Sequence, residues 1–240
     1  VAPPSPRVGE GWGGGAAGRI MDGEFDFIIV GAGSAGCVLA DRLTRDWRTR
    51  VLVLEAGGHD MRLFVQMPLG YGKTYYDPAV NWCYRTEPDP GLNGQRDYWP
   101  RGKVVGGSSA INAMVYIRGH QTDYDDWEAA GNPGWGWADV LPAYRAMEHC
   151  EDGANDWRGT GGPLFVSANR RDLHPLIHPF LEACRLTGLP TRDDFNAGEQ
   201  EGAGHYQITV KGGRRMSAAR ACLHPARRQG RVALATRAQV

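Results

Sequence analysis

The chain has 240 residues, 42% of them hydrophobic and 22% charged, a soluble globular balance that excludes an all-disordered polypeptide. Lysine plus arginine and aspartate plus glutamate number 27 each, so the net charge is zero, which gives no support to a nucleic-acid binder with a strongly basic face. Glycine is the outlier, 34 residues, twice a usual share of about 7%, with no Gly-X-Y period that would make it collagen.

The length suggests one large domain or two small ones. Residues 1–24 contain Gly9, Gly11, Gly13, Gly14, Gly15 and Gly18 and no apolar signal segment. They are expected to form a disordered extension, or to lie upstream of a start at Met21. Phe25, Phe27, Ile28, Ile29 and Val30 predict a buried parallel strand. A turn at 31–36, a helix at 37–46 and a second buried strand at 51–55 complete a β-α-β unit. Residues 57–100, rich in Gly, Pro and aromatics, predict a surface excursion. A second glycine cluster at 102–107 precedes Ser108, the expected N-cap of a helix at 109–117. Helices follow at 123–130 and 138–149, with Trp127, Leu141, Tyr144 and Met147 on their buried faces. A turn at 159–163, a strand at 164–167 and a helix at 178–187 come next, the helix stopped by Gly188 and Pro190. A strand at 204–210, a turn at 211–213, a helix at 217–228 capped by Ser217 and a strand at 231–236 end the series. There is no internal repeat. The longest apolar-leaning run, 27–40, is 14 residues broken by three glycines, short of the roughly 20 needed to span a membrane.

Gly31-Ala32-Gly33-Ser34-Ala35-Gly36 is a G-x-G-x-x-G motif between a strand and a helix. Gly31 permits the tight turn, Gly33 lets a pyrophosphate approach the backbone, and Gly36 lets helix and strand pack closely. The helix N-terminus offers N–H groups and a positive dipole end to the phosphates. Glu55 ends the second strand 24 positions after Gly31 and can accept ribose hydroxyls. An acid there disfavours a 2′-phosphate, leaving NAD or FAD. In the second motif, Gly106-Gly107 allows close backbone approach. Asn112 is a neutral donor and acceptor suited to a heterocycle or a phosphate, and a capped core helix is the competing reading.

Other candidates point to structure. His174 and His178 stand four apart, but Pro175 and Pro179 interrupt the helix, so a helix-entry loop is favoured over a metal. Asp123, Asp125 and Asp126 fit a helix first turn better than a calcium loop. Cys37, Cys83, Cys150, Cys184 and Cys222 are odd in number with no C-x-x-C, so reduced thiols are expected, without disulfide or zinc site. His205 reads as a strand residue. Arg214, Arg215, Arg227 and Arg228 read as solvated charge, and Trp127, Trp135 and Trp137 as packing residues. The absence of a Tyr-x-x-x-Lys pair weakens a short-chain NAD dehydrogenase reading.

The strings DFIIVGAGSAGCVLADRL, VLVLEAGG, NWCYRTEP, WPRGKVVGGSSAINAMVYIRGHQTDYDDW, DFNAGEQEGAGHYQ and GRRMSAARACLHPA together resemble the glucose-methanol-choline (GMC) family of flavoprotein oxidoreductases. The likeness runs from Asp26 to Val240 and leans toward the choline dehydrogenase and acceptor-linked alcohol dehydrogenase branch. It implies an α/β fold: a Rossmann-like FAD-binding domain with part of an α+β substrate domain, truncated. The expected division is 25–160 for the FAD-binding domain, 161–213 for part of the substrate domain, and 214–240 for a return to the first.

The resemblance implies FAD as cofactor. Gly31, Ala32, Gly33, Ser34, Ala35 and Gly36 match the pyrophosphate turn, and Glu55 and Ala56 the end of the ribose-binding strand. Val104, Val105, Gly107 and Ser108 match the loop beside the flavin. Asn112, Ala113, Met114 and Val115 match a run against flavin and pyrophosphate, and Val240 a valine near the adenine. Trp99 stands near the place where some members carry a histidine covalently linked to FAD, so non-covalent FAD is expected. The implied activity is oxidation of a primary alcohol or choline-like substrate to the aldehyde, by hydride transfer to flavin N5. The electron acceptor would be a quinone, a carrier or oxygen. Members are longer, and their catalytic histidine lies beyond the part matched. The chain is therefore expected to be an N-terminal fragment or truncated product without a catalytic residue or a metal, and with little turnover alone. A hydroxynitrile-lyase-like member, or an inactive FAD-binding fragment, is the alternative. The expected location is cytoplasmic or peripheral to the inner membrane.

Overall fold

The computed structural model describes residues 23–170 and 173–240. The expected extension lies outside them, except for Gly23 and Glu24. Strand β1 (Phe27–Val30) leads through the glycine turn into helix α1 (Ser34–Leu43), and β2 (Val51–Glu55) follows. In the excursion after β2 lie two single-turn helices, α2 (Leu63–Gln66) and α3 (Tyr71–Thr74), and a hairpin of β3 (Tyr84–Arg85) with β4 (Tyr98–Trp99). Next come β5 (Val115–Tyr116), α4 (Gln121–Ala129), α5 (Trp137–Met147), β6 (Glu148–Cys150) and β7 (Leu164–Val166). Helix α6 (Ile177–Leu186) precedes β8 (Thr191–Arg192), β9 (Ala203–Gly204), β10 (Gln207–Ile208), β11 (Val210–Lys211) and β12 (Arg214–Arg215). Helix α7 (His224–Arg228) and β13 (Val232–Thr236) close the series.

The central sheet is parallel, in the order β1-β2-β13, with Ile29 opposite Val53 and Leu234 opposite Val53 on the other side. Alternation along β2 buries Val51, Val53 and Glu55. Ile29, Val51, Val53 and Val232 form one core with Cys37 and Ala40 of α1 and with Ala219, Leu223 and Ala226. Small residues on α1 let it lie close to the sheet. A Cβ on Gly36 would overlap the Gly31 carbonyl oxygen. α1 begins at Ser34 and not at residue 37 as expected, so Gly36 is a packing glycine inside the helix.

The other short strands form two-stranded ladders, and β6 carries Glu148, the centre of a buried ion cluster. Glu148 accepts from Arg118 Nη2 at 2.8 Å, from Arg158 Nε at 3.0 Å and from the Gly159 amide at 2.7 Å. Arg158 Nη1 also donates to Asp194 Oδ2 at 2.6 Å. Burial alone would lower Arg158, but its hydrogen bonds to Glu148 and the charges of Asp194 and Glu148 outweigh it and raise the group.

Several expectations are corrected. β1 is parallel as read, but it is an edge strand, and Phe27, Ile28 and Val30 are exposed. The expected helix at 109–117 is one 3-10 turn, Gly107–Ala110, followed by irregular backbone and β5. Ser108 sits inside that turn, and Gly106 occupies the N-cap. The helix expected to end at 149 ends at Met147, because Glu148–Cys150 pairs with β7. The expected strand at 204–210 is divided among β9, β10 and β11, which pair with different partners. His205 falls between them, its Nε2 3.2 Å from the Ala168 carbonyl oxygen. The helix after Ser217 starts as a π-helix, Ala219–Leu223; Pro225 has no N–H to continue an i→i−4 ladder. Trp127 and Trp135 are exposed and pack on each other, whereas Trp137 is buried against Tyr124. Asp123 lies in the first turn of α4, where its carboxylate accepts from the His120 amide at 2.7 Å. All five cysteines are free thiols.

Candidate functional site

β1, β2 and β13 run in the same direction, so their carboxyl ends share one edge of the sheet, where ligands bind in open α/β sheets. A groove of about 320 Å³ opens there. Val30, Gly31 and Gly33 line it from β1, Leu54, Glu55 and Ala56 from β2, and Ala238, Gln239 and Val240 from the segment after β13. Trp82, Gly102 and Gly107 complete the walls.

Backbone hydrogen bonds stitch these segments together. The Gly31 amide donates to Leu54 O at 2.7 Å, the Gly106 amide to Ala32 O at 2.7 Å, and the Val105 amide to Gly58 O at 3.0 Å. The Ala238 amide donates to Glu55 O at 2.9 Å. The glycines allow contacts that side chains would block. A Cβ on Gly57 would strike the Lys103 carbonyl, and one on Gly102 the Gly107 carbonyl. Gly107 has φ +55°, and a Cβ there would stand 2.7 Å from Gly33 Cα. Gly33 is different: a Cβ on it would meet no protein atom within 4 Å. Its bare Cα faces open space.

Beside Gly33, α1 begins with Gly33 as an extended N-cap and no side chain capping it. Ser34 and Ala35 are exposed, so the first-turn amides and the positive dipole end are open to an anion. Across the groove Glu55 is buried, and both carboxylate oxygens already accept backbone amides: Oε2 from Ala32 at 2.8 Å and Oε1 from Gly57 at 2.8 Å. Glu55 therefore ties the two glycine turns together. Each oxygen keeps a second lone pair for a hydroxyl donor.

The second motif supports this floor from behind. Val104 and Val105 are fully buried, and Ser108 Oγ accepts the Gly102 amide at 3.1 Å. Asn112, Ala113 and Val115 are exposed but do not line the groove. Met114 is buried with φ +63°. Arg215, read as solvated charge, is 1% exposed. Its guanidinium reaches Val65 O, Ser109 O, Asn112 O and Asn112 Oδ1, which accounts for the correction. Sequence reasoning also gave no role to Trp82 or Gln239. Trp82 stacks on Tyr84 at 5.8 Å with Lys103 Nζ 4.3 Å from its ring centroid. The only sequence signal for it was the NWCYRTEP string.

Residues 25–240 match the family model described as GMC oxidoreductase. The chain is 48% identical over 209 residues to an oxygen-dependent choline dehydrogenase of Rhizobium etli, covering 87% of this chain and 38% of that protein. It is also 48% identical over 209 residues to the mitochondrial choline dehydrogenase of Mus musculus, with 84% and 35% covered. Among solved structures, pyridoxine 4-oxidase from Mesorbium loti aligns with a TM-score of 0.83 and 36% identity, over 89% of this chain and 42% of that one. An Aspergillus oryzae formate oxidase, a mutant made to study FAD modification, aligns with a TM-score of 0.77 and 26% identity, over 89% and 38%. The chain thus spans less than half the length of these relatives.

Proposed function

This chain belongs to the GMC oxidoreductase family, and from that premise we propose that it builds the FAD-binding part of a flavoenzyme that oxidises a primary alcohol or a choline-like substrate to the aldehyde. The observation that carries this reading is the groove itself. An uncapped helix N-terminus and the bare Gly33 Cα stand on one side, and Glu55 stands on the other. That donor set suits a dinucleotide whose ribose lacks a 2′-phosphate.

In this reading the amides of Gly33, Ser34 and Ala35 receive the pyrophosphate, and the second lone pairs of Glu55 receive the adenosine ribose hydroxyls. Val240 lies near the adenine. Val104, Val105, Gly107 and Ser108 shape the loop beside the isoalloxazine, and residues 112–115 lie against it. When bound, FAD supplies the two-electron acceptor that takes the carbinol hydride at N5. The residues of this chain bind and orient the cofactor and exclude water from it. Among the described residues no histidine lines the groove. Residues 25–160 and 214–240 form the cofactor part, and 161–213 contribute to the substrate part; β13 beside β2 supports the return. Electrons leave to oxygen, a carrier or a quinone. Among the described residues no helix is long and apolar enough to cross a membrane.

The test is to purify the protein, record its visible spectrum and denature it in acid. A flavin spectrum, with all the flavin released to the supernatant, is expected, because Trp99 offers no nucleophile for a covalent link. Colourless protein that binds NAD would overturn the assignment. Anaerobic choline or a primary alcohol should bleach the flavin of the complete enzyme.

A further inference from the structure

A second cleft, of about 770 Å³, opens where the segment after β2 meets α7 and the β11–β12 hairpin. It shares no lining residue with the groove at the strand ends. Four cations line it: Lys211 at the end of β11, Arg220 in the π-helix, and Arg227 and Arg228 in the last turn of α7. Among the described residues none of the four has a carboxylate within ion-pair distance. Arg220 Nη1 donates only to a carbonyl, Arg215 O, at 3.2 Å.

Among the described residues Asp60 is the one carboxylate in the lining. It is 1% exposed, and its Oδ2 accepts from His224 Nε2 at 2.9 Å, so it answers the histidine and not the cations. With histidine uncharged, the four cations and Asp60 leave the cleft a formal excess of three positive charges, in a chain whose net charge is zero. The helix dipole accounts for Arg227 and Arg228 at the end of α7. It does not account for Lys211 and Arg220, which reach the same concavity from two other elements. Like charges held together in a cleft repel unless an anion shares it.

The histidine narrows the chemistry of that anion. A carboxylate only accepts, so the contact with Asp60 keeps the proton on Nε2. Among the described residues Nδ1 has no hydrogen-bond partner. A phosphate group suits Nδ1 in either state, because its oxygens accept from a charged ring and its P–OH donates to a neutral one. A carboxylate ligand presents two oxygens in one plane. A phosphate presents three or four in a tetrahedron, with up to about two negative charges, which matches cations arriving from three elements.

We propose that this cleft is a binding site for the phosphate group of a small molecule, held by Lys211, Arg220, Arg227 and Arg228, with His224 as its hydrogen-bonding partner. The site is independent of the cofactor reading above.

The experiment titrates the 240-residue chain calorimetrically with inorganic phosphate at about 0.15 M salt, where charges more than about 8 Å apart are largely screened. Saturable binding is expected, and phosphate should raise the thermal unfolding midpoint. The Arg227→Gln/Arg228→Gln variant should unfold near the wild-type midpoint in phosphate-free buffer and bind phosphate on the order of tenfold more weakly. His224→Gln, which can still donate to Asp60 but lacks the ring's second nitrogen, should weaken binding several-fold. Should either variant not fold, Lys211→Gln, on the exposed hairpin, decides by the same loss. Saturating FAD should leave the phosphate affinity unchanged. Displacement by FAD would move the phosphate to the N-terminus of α1 and overturn the proposal. So would the absence of saturable binding, or variants that bind like wild type. Sedimentation with phosphatidic acid vesicles by a chain that does not bind inorganic phosphate would overturn it too, in favour of a lipid surface.

Discussion

Gly33 and Gly107 touch across the floor of the groove, yet they are glycine for different reasons. Gly33 has ordinary extended backbone, φ −76° and ψ −167°, which any residue can adopt. Nothing in the protein would meet its Cβ. The space it leaves matters only to a ligand. Gly33→Ala should therefore unfold at the wild-type denaturant midpoint while losing most of its affinity for FAD. Gly107 is constrained by the protein, with φ +55° and room so tight that a Cβ on it would stand 2.7 Å from Gly33 Cα. Gly107→Ala should cost about 1–3 kcal/mol in denaturant unfolding of the apoprotein. A Gly33→Ala variant as unstable as Gly107→Ala would mean that the turn is built for folding and not for a ligand.

The β6–β7 ladder is short, and the ion cluster at Glu148 on β6 ties it to the segments that carry Arg118, Arg158 and Asp194. Glu148 is fully buried and takes hydrogen bonds from Arg118 and Arg158, which are 4% and 1% exposed. Removing the charge leaves two buried guanidinium groups with the partly exposed Asp194 as their remaining carboxylate. Glu148→Gln is nearly isosteric, so its effect isolates the charge; a loss of about 3–5 kcal/mol in unfolding free energy is expected. A change under 1 kcal/mol would show that solvent or backbone dipoles already compensate the pair. This cluster was not legible in the sequence, because its members lie 10 to 36 positions apart without periodicity. The β-α-β unit was legible, because the alternation of β2, the glycine turn and Glu55 are local signals. The segment at 109–117 was misread for the opposite reason. Ala110, Ile111, Ala113 and Met114 suit a helix, but Arg215, 103 positions away, takes the Asn112 carbonyl, and Thr209 donates to Met114 O at 2.9 Å. In the groove, the glycines and Glu55 could be read from spacing, whereas Trp82 and Gln239 arrive through tertiary folding.

At the scale of the whole molecule, two properties follow from how the core is covered. Burial pushes the Cys37 thiol up to about 12 and the Cys222 thiol to about 11, from an ordinary value of 9.0. The folded chain holds protons that the unfolded chain releases above pH 9, so this stabilisation is complete below pH 9 and is lost as pH rises through 11 and 12. Unfolding midpoints should fall over that window, and Cys37→Ala should flatten the fall; an unchanged slope would remove the thiols from the cause. The second property is the face of the sheet that, among the described residues, is left partly uncovered. α1 and the segment 219–226 cover the face carrying Ile29, Val51 and Val53. Ile28, Val30, Leu52 and Leu54 alternate onto the other face, and Ile28 and Val30 are 62% and 65% exposed. Parallel sheets are ordinarily covered on both faces, and among the described residues β1 is also an open edge. An apolar face beside an open edge favours self-association. The 240-residue chain should therefore sediment as concentration-dependent oligomers. Ile28→Lys, which puts a charge on that face without touching the core around Ile29, should shift it toward monomer. A wild-type chain that stays monomeric at high concentration would show that the face is stable in water.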